Sequence, residues 1–410
     1  MAIVRPFCGL RPAANYAARV ATPPYDVIDS DNARLMARDN PYSFFHIIKP
    51  EIDLDIDVNP YDLQVYAKGA ENFDHFKRQN ILIHDTVPHF YIYRQIMGQH
   101  EQTGLVCTVS AREYVDGTIK KHELTQPKKV HDRVELMKAL KAQTGPVFLA
   151  YRSTPGCEKS LQRGISGVPA YDFFAYGVQH LFYPVNDTAL LSFIESSFKD
   201  IESFYIADGH HRSEAAVLYS RQYGSAPDNS GESGYILSVL FPADQLCILP
   251  YNRAIRDLNG LGIDRFLARV SEKFHVSRIE NRRFVPTEPF CFGMYLADTW
   301  YKLRADDNVV NSQKFDRQLD VAVLQDHLLR PLLAIDDPRS DKRITFVGGA
   351  GSVDELVDLV SRGEYHVAFS LYPTSMEQVM HIADAGKVMP PKSTWFEPKL
   401  LSGLVTYELA

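Results

Sequence analysis

The chain has 410 residues, more than the roughly 250–300 at which a single hydrophobic core stops growing, so we expect two domains or one elaborated domain. Hydrophobic residues make up 45% and charged residues 23%, as in compact soluble proteins, which argues against intrinsic disorder. The formal net charge of −7 argues against a protein that coats nucleic acid, and the five scattered cysteines, without any C-x-x-C pair, argue against a disulfide framework or a zinc ribbon.

Targeting and membrane signals are missing from the sequence pattern. No stretch approaches the ~18 consecutive apolar residues that span a bilayer, and Arg5 and Pro6 stand where a signal peptide has its apolar core. We therefore expect a cytoplasmic protein that acts on a small molecule, with neither a nucleic acid nor a membrane as its partner.

Hydrophobic periodicity in the first third predicts a short helix after Ser30 and a longer helix over Tyr61–Arg78. The segments HFYIYRQIM and TGLVCTVSAREY, which meet near Gly98, are typical of an antiparallel hairpin. The polar segment IKKHELTQPKK is interrupted by Pro127, and we interpret it as a loop. An amphipathic helix is then predicted from about His131 to Ala142.

The middle of the chain predicts strands PVFLAY and HLFYPV, a helix over Thr188–Phe198, and a strand SFYIAD that turns into another helix. Residues 224–234, GSAPDNSGESG, indicate a surface loop or a domain linker. Strands YILSVLFP, CFGMYLA and TWYKLRA follow, with helices over Asp320–Leu329, Val353–Val360 and Met376–Ala385. We therefore predict an α+β fold with mixed and antiparallel sheets, in which residues 1–223 form one region and residues 235–410 a second that completes the cleft.

The clearest candidate site is Asp208-Gly209-His210-His211-Arg212, where the period changes from 2 to 3.6. A helix that begins there presents unpaired N–H groups and the positive end of its dipole, Gly209 allows close approach, and Arg212 with the imidazoles adds donors. We expect a phosphate-binding turn on the wall of the largest polar cleft, with Arg212 exposed. Asp208 is placed to hold a metal ion, usually Mg²⁺. Alternatively, Asp208 only caps the helix and Arg212 forms a surface ion pair.

A second candidate is Lys120-Lys121-His122-Glu123, which is followed by Lys128, Lys129 and Arg133. Among so many cations Glu123 stays ionised and can accept a proton from a substrate hydroxyl, while Lys128 and Arg133 can bind phosphate oxygens. The alternatives are a solvated charge cluster and, for His122, a packed side chain.

A third candidate lies near the C terminus, where Lys392, Ser393 and Thr394 offer donors to an anion beside Trp395 and Phe396. We expect this segment, IKKHELT and the D-G-H-H-R turn to converge on one cleft. A tethered C-terminal tail with buried aromatic residues is the alternative.

Two further turns are weaker candidates. The segment FVGGAGS is a strand that runs into a Gly-rich turn, but it lacks the Lys-Ser/Thr of a nucleotide-binding loop, which disfavours a second phosphate site. Tyr25 and Asp26 in TPPYDV either face the same cleft or form a structural turn, and we favour the structural turn.

Seven segments together resemble the family catalogued as domain of unknown function 1015, from residue 4 to residue 404: RPFCGLRPA, ATPPYDVID, IKKHELT, YIADGHHR, ILPYNR, FVGG and MPPKSTWFEPKLLSGL. The D-G-H-H-R corner also resembles that of free-serine kinases with a ParB/sulfiredoxin-type fold, in which an upstream His-Glu pair contributes the glutamate that activates the serine hydroxyl. This resemblance implies a ParB/sulfiredoxin-like core within residues 1–223. His122 and Glu123 match the pair, although the gap to the corner is much longer here.

The resemblance and the residues together indicate a nucleotide-dependent phosphotransferase, similar to an L-serine kinase, that acts on a small hydroxylated metabolite. Its expected cofactors are ATP or ADP and Mg²⁺, and its expected catalytic residues are Glu123, Asp208 and His122. One alternative is a ParB-like nucleotide-binding regulator that phosphorylates nothing, although no basic helix-turn-helix is found. A phosphatase that uses the same anion site is another alternative.

Overall fold

The structure is a computed structural model that describes residues 3–224, 231–281, 283–311 and 318–409. Its strands, in chain order, are β1 Val4–Arg5, β2 Leu10–Pro12, β3 Leu82–His84, β4 Phe90–Met97, β5 His100–Ser110, β6 Ile119–Lys120, β7 Ala142–Gln143, β8 Val147–Tyr151, β9 Tyr171–Ala175, β10 Val178–Val185, β11 Phe204–Asp208, β12 Tyr235–Pro242, β13 Cys247–Leu249, β14 Tyr251–Ile255, β15 Phe274–Ile279, β16 Cys291–Leu296, β17 Thr299–Ala305, β18 Ile344–Gly348, β19 Val367–Ser370, β20 Trp395–Glu397 and β21 Tyr407–Glu408.

The α-helices are α1 Ala17–Val20, α2 Ser30–Ala37, α3 Phe45–Ile48, α4 Leu63–Arg78, α5 Ala111–Asp116, α6 Pro127–Leu140, α7 Pro155–Gly164, α8 Thr188–Phe198, α9 His210–Tyr223, α10 Ile263–Val270, α11 Asp307–Asn311, α12 Asp320–Leu324, α13 Arg330–Leu333, α14 Ser352–Ser361 and α15 Met376–Asp384. A π-helical turn, Gln325–Leu329, joins α12 to α13. Within the described ranges, no helix is long and apolar enough to cross a membrane.

The chain divides into two units. The first unit runs to Leu246 and resumes at Pro398, and the second unit is Cys247–Glu397. This division differs from the predicted one at residues 224–234. The polar stretch connects α9 to β12, and β12 is a central strand of the first unit, paired with β5 on one side and β8 on the other. Residues 225–230 of the predicted linker lie outside the described residues.

The first unit is built on a mixed sheet with the strand order β6-β11-β8-β12-β5-β4-β10-β9, and β1 pairs with β5. β11 runs parallel to β6, and β12 runs parallel to β8, whereas the other neighbours are antiparallel. The predicted hairpin is confirmed as β4 and β5. The predicted α+β class is therefore confirmed, and the mixed sheet brings the C-terminal ends of β6 and β11 to one edge.

The second unit contains an antiparallel sheet with the order β15-β17-β16-β19-β14-β18. Strand alternation divides its apolar side chains between two cores, so that Ile255 of β14 joins the cluster around Phe369 while Ala254 joins the cluster around Trp300. A separate core of the first unit packs α4 and α6 against the N-terminal helices through residues such as Phe73 and Leu136.

One predicted boundary is wrong, and it matters for the site. The helix expected from His131 begins at Pro127, so the last three residues of the presumed loop are helical. Proline at the first helical position loses no intrahelical hydrogen bond, and its fixed φ suits the helix. As a result Lys128, Lys129 and Arg133 all lie on α6.

Candidate functional site

The corner between β11 and α9 is built around a glycine in the left-handed region. β11 ends at Asp208, Gly209 has a φ of 99°, and α9 begins at His210, as the change of period predicts. A Cβ atom at Gly209 would lie 3.0 Å from Nε of Arg212 and 3.1 Å from its Cζ. The positive φ and the nearby guanidinium both require glycine at this position.

Arg212 is buried, so the expectation of an exposed arginine is wrong. Only 6% of the residue is exposed, and its NH1 donates to the carbonyl of Pro146. Its Nε has no hydrogen-bond partner among the described residues. Burial lowers the pKa of the guanidinium, but the carboxylates of Asp26 and Asp208 outweigh burial and raise it above its ordinary value. Arg212 is therefore a permanently charged group inside the protein.

The Asp208 carboxylate lies between two cations of the first unit. Its Oδ2 is 3.4 Å from Nζ of Lys399 and 3.6 Å from NH2 of Arg212. Gln95 fixes the backbone of Lys399 by donating to its carbonyl at 2.9 Å. Burial raises the pKa of the Asp208 carboxyl, but Lys399 and Arg212 hold that pKa well below its usual range. Asp208 is thus ionised and paired.

The metal role predicted for Asp208 gains no support from its neighbours. The described residues contain no cluster of three or more histidine, cysteine, aspartate or glutamate side chains that would hold a metal ion. Two cations already face the carboxylate. Binding of Mg²⁺ by Asp208 stays a prediction.

The loop that carries Glu123, residues 121–126, lies against the first turn of α9. β6 pairs in parallel with β11, so the chain leaves both strands at the same edge of the sheet. The backbone N–H of His122 lies 3.4 Å from Nε2 of His210, and the N–H of Gln126 donates to Nε2 of His211 at 3.0 Å. The sequence-predicted pair and the sequence-predicted corner are therefore brought together, although about ninety residues separate them along the chain.

The two buried imidazoles are neutral and are not phosphate-binding cations. The rings of His122 and His210 lie 4.5 Å apart and almost perpendicular. Burial lowers the pKa of His122 to about 4, and burial together with the His122 ring lowers the pKa of His210 well below its ordinary value. Since Nε2 of His210 faces a backbone N–H, the proton of the neutral ring resides on Nδ1. The alternative of a packed side chain fits His122.

A second group of side chains lies around Tyr25. The guanidinium of Arg133 lies 3.9 Å from the centre of the Tyr25 ring and donates to the Asp132 carboxylate at 2.6 Å and 2.9 Å. Tyr25 and Arg133 also line a cavity of about 20 Å³ with Arg212. Burial and the charge of Asp26 raise the pKa of Tyr25, so its hydroxyl stays protonated. Tyr25 thus contacts Arg133 and lines one cavity with Arg212, and these are the two arginines that the sequence predicts to bind phosphate.

Three cavities of the described residues lie near the candidate residues or in the second unit. The cavity that Arg212 lines has room for about one water molecule. A larger one, of about 230 Å³, lies beyond Tyr25 and Arg133 in the first unit. Another, of about 700 Å³, lies in the second unit beside Arg278, Asp298 and Trp300. Arg212 thus lines the smallest of these three cavities, and the expected position of the corner on the wall of the largest polar cleft stays a prediction. Lys128 is exposed, with its Nζ 4.1 Å above the Tyr61 ring.

The C-terminal candidates Lys392, Ser393 and Thr394 belong to the second unit. Lys392 is exposed, has a φ of 56° and places its Nζ 5.3 Å from the centre of the Tyr251 ring. The Ser393 hydroxyl is buried and donates to the carbonyl of Pro390 at 2.5 Å, so it stabilises a turn and is not a free donor. Thr394 is half-buried. Anion binding by these residues stays a prediction.

Sequence reasoning missed Arg253, and the structure gives a packing reason for a glycine of the Gly-rich turn. Arg253 is buried, and its NH2 donates to the carbonyl of Lys392 at 3.2 Å. A Cβ atom at Gly348 would lie 2.3 Å from the indole of Trp395, so this glycine makes room for an aromatic ring. The packing requirement explains Gly348 without a phosphate.

A family model and a comparison with solved structures place the chain among known proteins. Residues 4–322 match the family described as protein of unknown function DUF1015, and the chain belongs to this family, as predicted. The search of curated proteins found no match.

Three solved structures are similar at a low level. A mutant free serine kinase in complex with AMP matches with a TM-score of 0.37 and 13% identity, over 71% of this chain and 87% of that one. A conserved hypothetical protein from Pyrococcus furiosus matches with a TM-score of 0.36 and 14% identity, over 73% and 95%. SbnI with a C-terminal truncation, from Staphylococcus aureus, matches with a TM-score of 0.37 and 10% identity, over 72% and 85%. Similarities at this level assign no function, and the ParB/sulfiredoxin-like core stays a prediction.

Proposed function

We propose that the protein is a nucleotide-dependent phosphotransferase that acts on a small hydroxylated metabolite, with ATP or ADP as the donor and L-serine as the first acceptor to test. The observation that carries this proposal is the position of the Glu123 loop. Residues on both sides of Glu123 contact the first turn of α9, His122 through His210 and Gln126 through His211. A carboxylate is thereby held in a loop beside a helix N-terminus.

The chemistry needs few parts. Phosphoryl transfer depends mainly on positioning and on stabilisation of charge. The N–H groups of the first turn of α9 bind the phosphate oxygens, and Arg212 and Lys399 add positive charge on either side of Asp208. Glu123 accepts the proton of the acceptor hydroxyl as its oxygen bonds to the terminal phosphorus. The bond from that phosphorus to the leaving nucleotide then breaks.

Magnesium has a limited part. Asp208 would hold Mg²⁺ only in competition with Arg212 and Lys399, and the ion would supply neutralisation of the charge on the nucleotide phosphates. No step of this chain's residues depends on it.

Replacement of Glu123 by glutamine tests the base. Glutamine keeps the shape of the side chain and removes the proton acceptor, and a positioned base contributes typically 10²–10⁴-fold to the rate. We expect Glu123→Gln to keep nucleotide affinity, measured as a thermal shift with ATP or ADP with and without Mg²⁺. It should lose about that factor in phosphoserine formation from L-serine, and the same assay should then be run with threonine, homoserine and glycerate.

The matched control is Glu101→Gln, which alters a half-exposed carboxylate at the end of the β4–β5 hairpin. This control should keep both nucleotide affinity and transfer. Equal transfer by wild type and Glu123→Gln would be consistent with a phosphotransferase but would show that Glu123 is not the base. Asp208 would then be the next residue to test. Nucleotide binding without transfer to any acceptor would refute the proposal and favour the regulator.

A further inference from the structure

The cavity of about 230 Å³ in the first unit carries a balanced set of charges. Its walls include Tyr25, Ile48 and Pro60 together with three carboxylates and three cations, and the charged side chains are Asp26, Glu51, Asp132, Lys49, Lys129 and Arg133. A volume of this size holds roughly eight water molecules and is smaller than the ~300–1,000 Å³ of most drug-sized sites. It suits a small metabolite and not a nucleotide.

Two of the carboxylates are already paired with two of the cations. Nζ of Lys49 lies 3.1 Å from the Glu51 carboxylate, which also accepts from the Ser30 hydroxyl at 2.7 Å. Arg133 binds Asp132 at 2.6 Å, and the other oxygen of Asp132 accepts from Tyr66 at 3.0 Å. Within each pair, the positive and the negative charge neutralise each other.

One carboxylate, that of Asp26, and one ammonium group, that of Lys129, remain without a direct partner. Within the part of the chain that the structure describes, neither side chain forms a hydrogen bond or an ion pair. The Asp26 carboxylate is exposed and acts on Arg212 only through longer-range attraction, which raises the pKa of Arg212. Asp26 follows two prolines in the turn that also positions Tyr25, and Lys129 lies in the first turn of α6. Both positions are therefore set by rigid backbone.

A cavity that leaves one charge of each sign without a direct partner complements a ligand of no net charge that carries both signs. We infer that this cavity binds a zwitterionic amino acid, with its ammonium group at Asp26 and its carboxylate at Lys129. The inference rests on the proposed function in that the bound amino acid is the phosphoryl acceptor. It adds Asp26 and Lys129 as the residues that select the acceptor.

Four small ligands test whether the cavity recognises both the ammonium group and the carboxylate of an amino acid. L-Serine and L-alanine are zwitterions, whereas glycerate lacks the ammonium group and ethanolamine lacks the carboxylate. We expect isothermal titration calorimetry of the full chain to detect both amino acids. Glycerate and ethanolamine should bind about 10–100-fold more weakly, because each loses one charge-assisted contact.

Two variants, each with a matched control, test whether Asp26 binds the ammonium group and Lys129 binds the carboxylate. Asp26→Asn should weaken L-alanine and ethanolamine about 10–100-fold and leave glycerate unchanged, while Lys129→Met should weaken L-alanine and glycerate and leave ethanolamine unchanged. Asp31→Asn, on the exposed first turn of α2, and Lys138→Met, on the exposed face of α6, are the controls and should bind as wild type.

L-Alanine carries no hydroxyl, so its binding does not depend on phosphoryl transfer. Binding of L-alanine without transfer to any hydroxylated amino acid would refute the proposed function and leave the amino acid site standing. Equal affinity for glycerate and L-alanine, or no detectable binding of either amino acid, would refute the site. So would wild-type affinity for L-alanine in both variants.

Discussion

Among the described residues, each unit has one buried arginine, and the surroundings of the two arginines differ. Arg212 in the first unit lies 3.6 Å from the Asp208 carboxylate, and the charges of Asp26 and Asp208 raise its pKa despite burial. Arg253 in the second unit is 3% exposed and donates to the carbonyls of Tyr251 and Lys392, but no described carboxylate pairs with it. Burial lowers the pKa of Arg253 to about 10.

The difference shows that burial alone does not decide the energetics of a charged side chain. Desolvation disfavours both guanidinium groups, and only the first is compensated by opposite charge. Breaking a compensated pair leaves a charge buried without a partner, which lowers the free energy of unfolding. Replacing an uncompensated cation by an apolar side chain instead removes the cost of desolvating that cation. The two arginines should therefore respond in opposite ways to removal of charge.

The largest effect is expected for Asp208→Asn. The substitution keeps the size of the side chain but leaves Arg212 and Lys399 facing each other without a carboxylate between them. Removing one partner of a buried pair costs about 3–5 kcal/mol, and because a quarter of the Asp208 side chain is exposed we expect a loss at the lower end of this range. Urea unfolding followed by far-UV circular dichroism should report a loss of this order in the free energy of unfolding.

The control for that measurement is Asp337→Asn. Asp337 pairs with Arg339 at 2.8 Å on the surface, where both side chains are largely exposed. Exposed pairs contribute about 0–1 kcal/mol, so the control should lose little. Equal small losses in Asp208→Asn and Asp337→Asn would contradict the compensated-pair interpretation of the corner.

The effect of burial on a titratable group can also be tested by acidification, because burial keeps the His122 imidazole neutral. His122 has a pKa of about 4 in the folded protein, against about 6.5 in an unfolded chain. Between these values the unfolded chain binds a proton that the folded protein does not, so protonation favours the unfolded chain. The free energy of unfolding is therefore not reduced by His122 above about pH 6.5, and it falls as the pH drops from 6.5 towards 4.

The expected size at pH 5 is about 2 kcal/mol, from 1.36 kcal/mol per pH unit over about 1.5 units. His122→Phe keeps a ring at this position and removes the proton-binding site. We expect the loss of unfolding free energy between pH 7 and pH 5 to be smaller in this variant than in wild type by about that amount. The same loss in both proteins would show that His122 does not titrate differently on folding.

Much of the local structure could be predicted from the sequence because local patterns determine it. The hairpin of β4 and β5 follows from β-branched and aromatic residues on both sides of a glycine. The corner at Gly209 follows from a change of period. The start of α6 was missed because Pro127 was interpreted as an interruption, although proline is favoured at the first helical position.

Long-range contacts carried no comparable signal. The contact between Lys399 and Asp208 joins residues 191 positions apart. The burial of Arg212 was missed because the first turn of a helix is usually exposed, and nothing local indicates that the carbonyl of Pro146 will accept from it. The partners of a charged side chain, which decide its role, depend on the tertiary fold and not on the neighbouring sequence.

The smallest effect is expected for Arg253→Met, compared with Arg212→Met. Methionine fills a similar volume with a flexible apolar chain, so the variant loses two hydrogen bonds to carbonyls but no longer buries an uncompensated charge. These contributions oppose each other, and we expect the free energy of unfolding to change by about 1 kcal/mol or less. Arg212→Met, which removes one of the two cations beside the Asp208 carboxylate, should lose distinctly more, towards the ~3 kcal/mol of a broken buried pair. Both tryptophans, Trp300 and Trp395, lie in the second unit, so tryptophan fluorescence reports directly on the unit that contains Arg253. A loss in Arg253→Met as large as that in Arg212→Met would mean that Arg253 stabilises the second unit through its two carbonyl contacts, and the contrast between the two arginines would then be wrong.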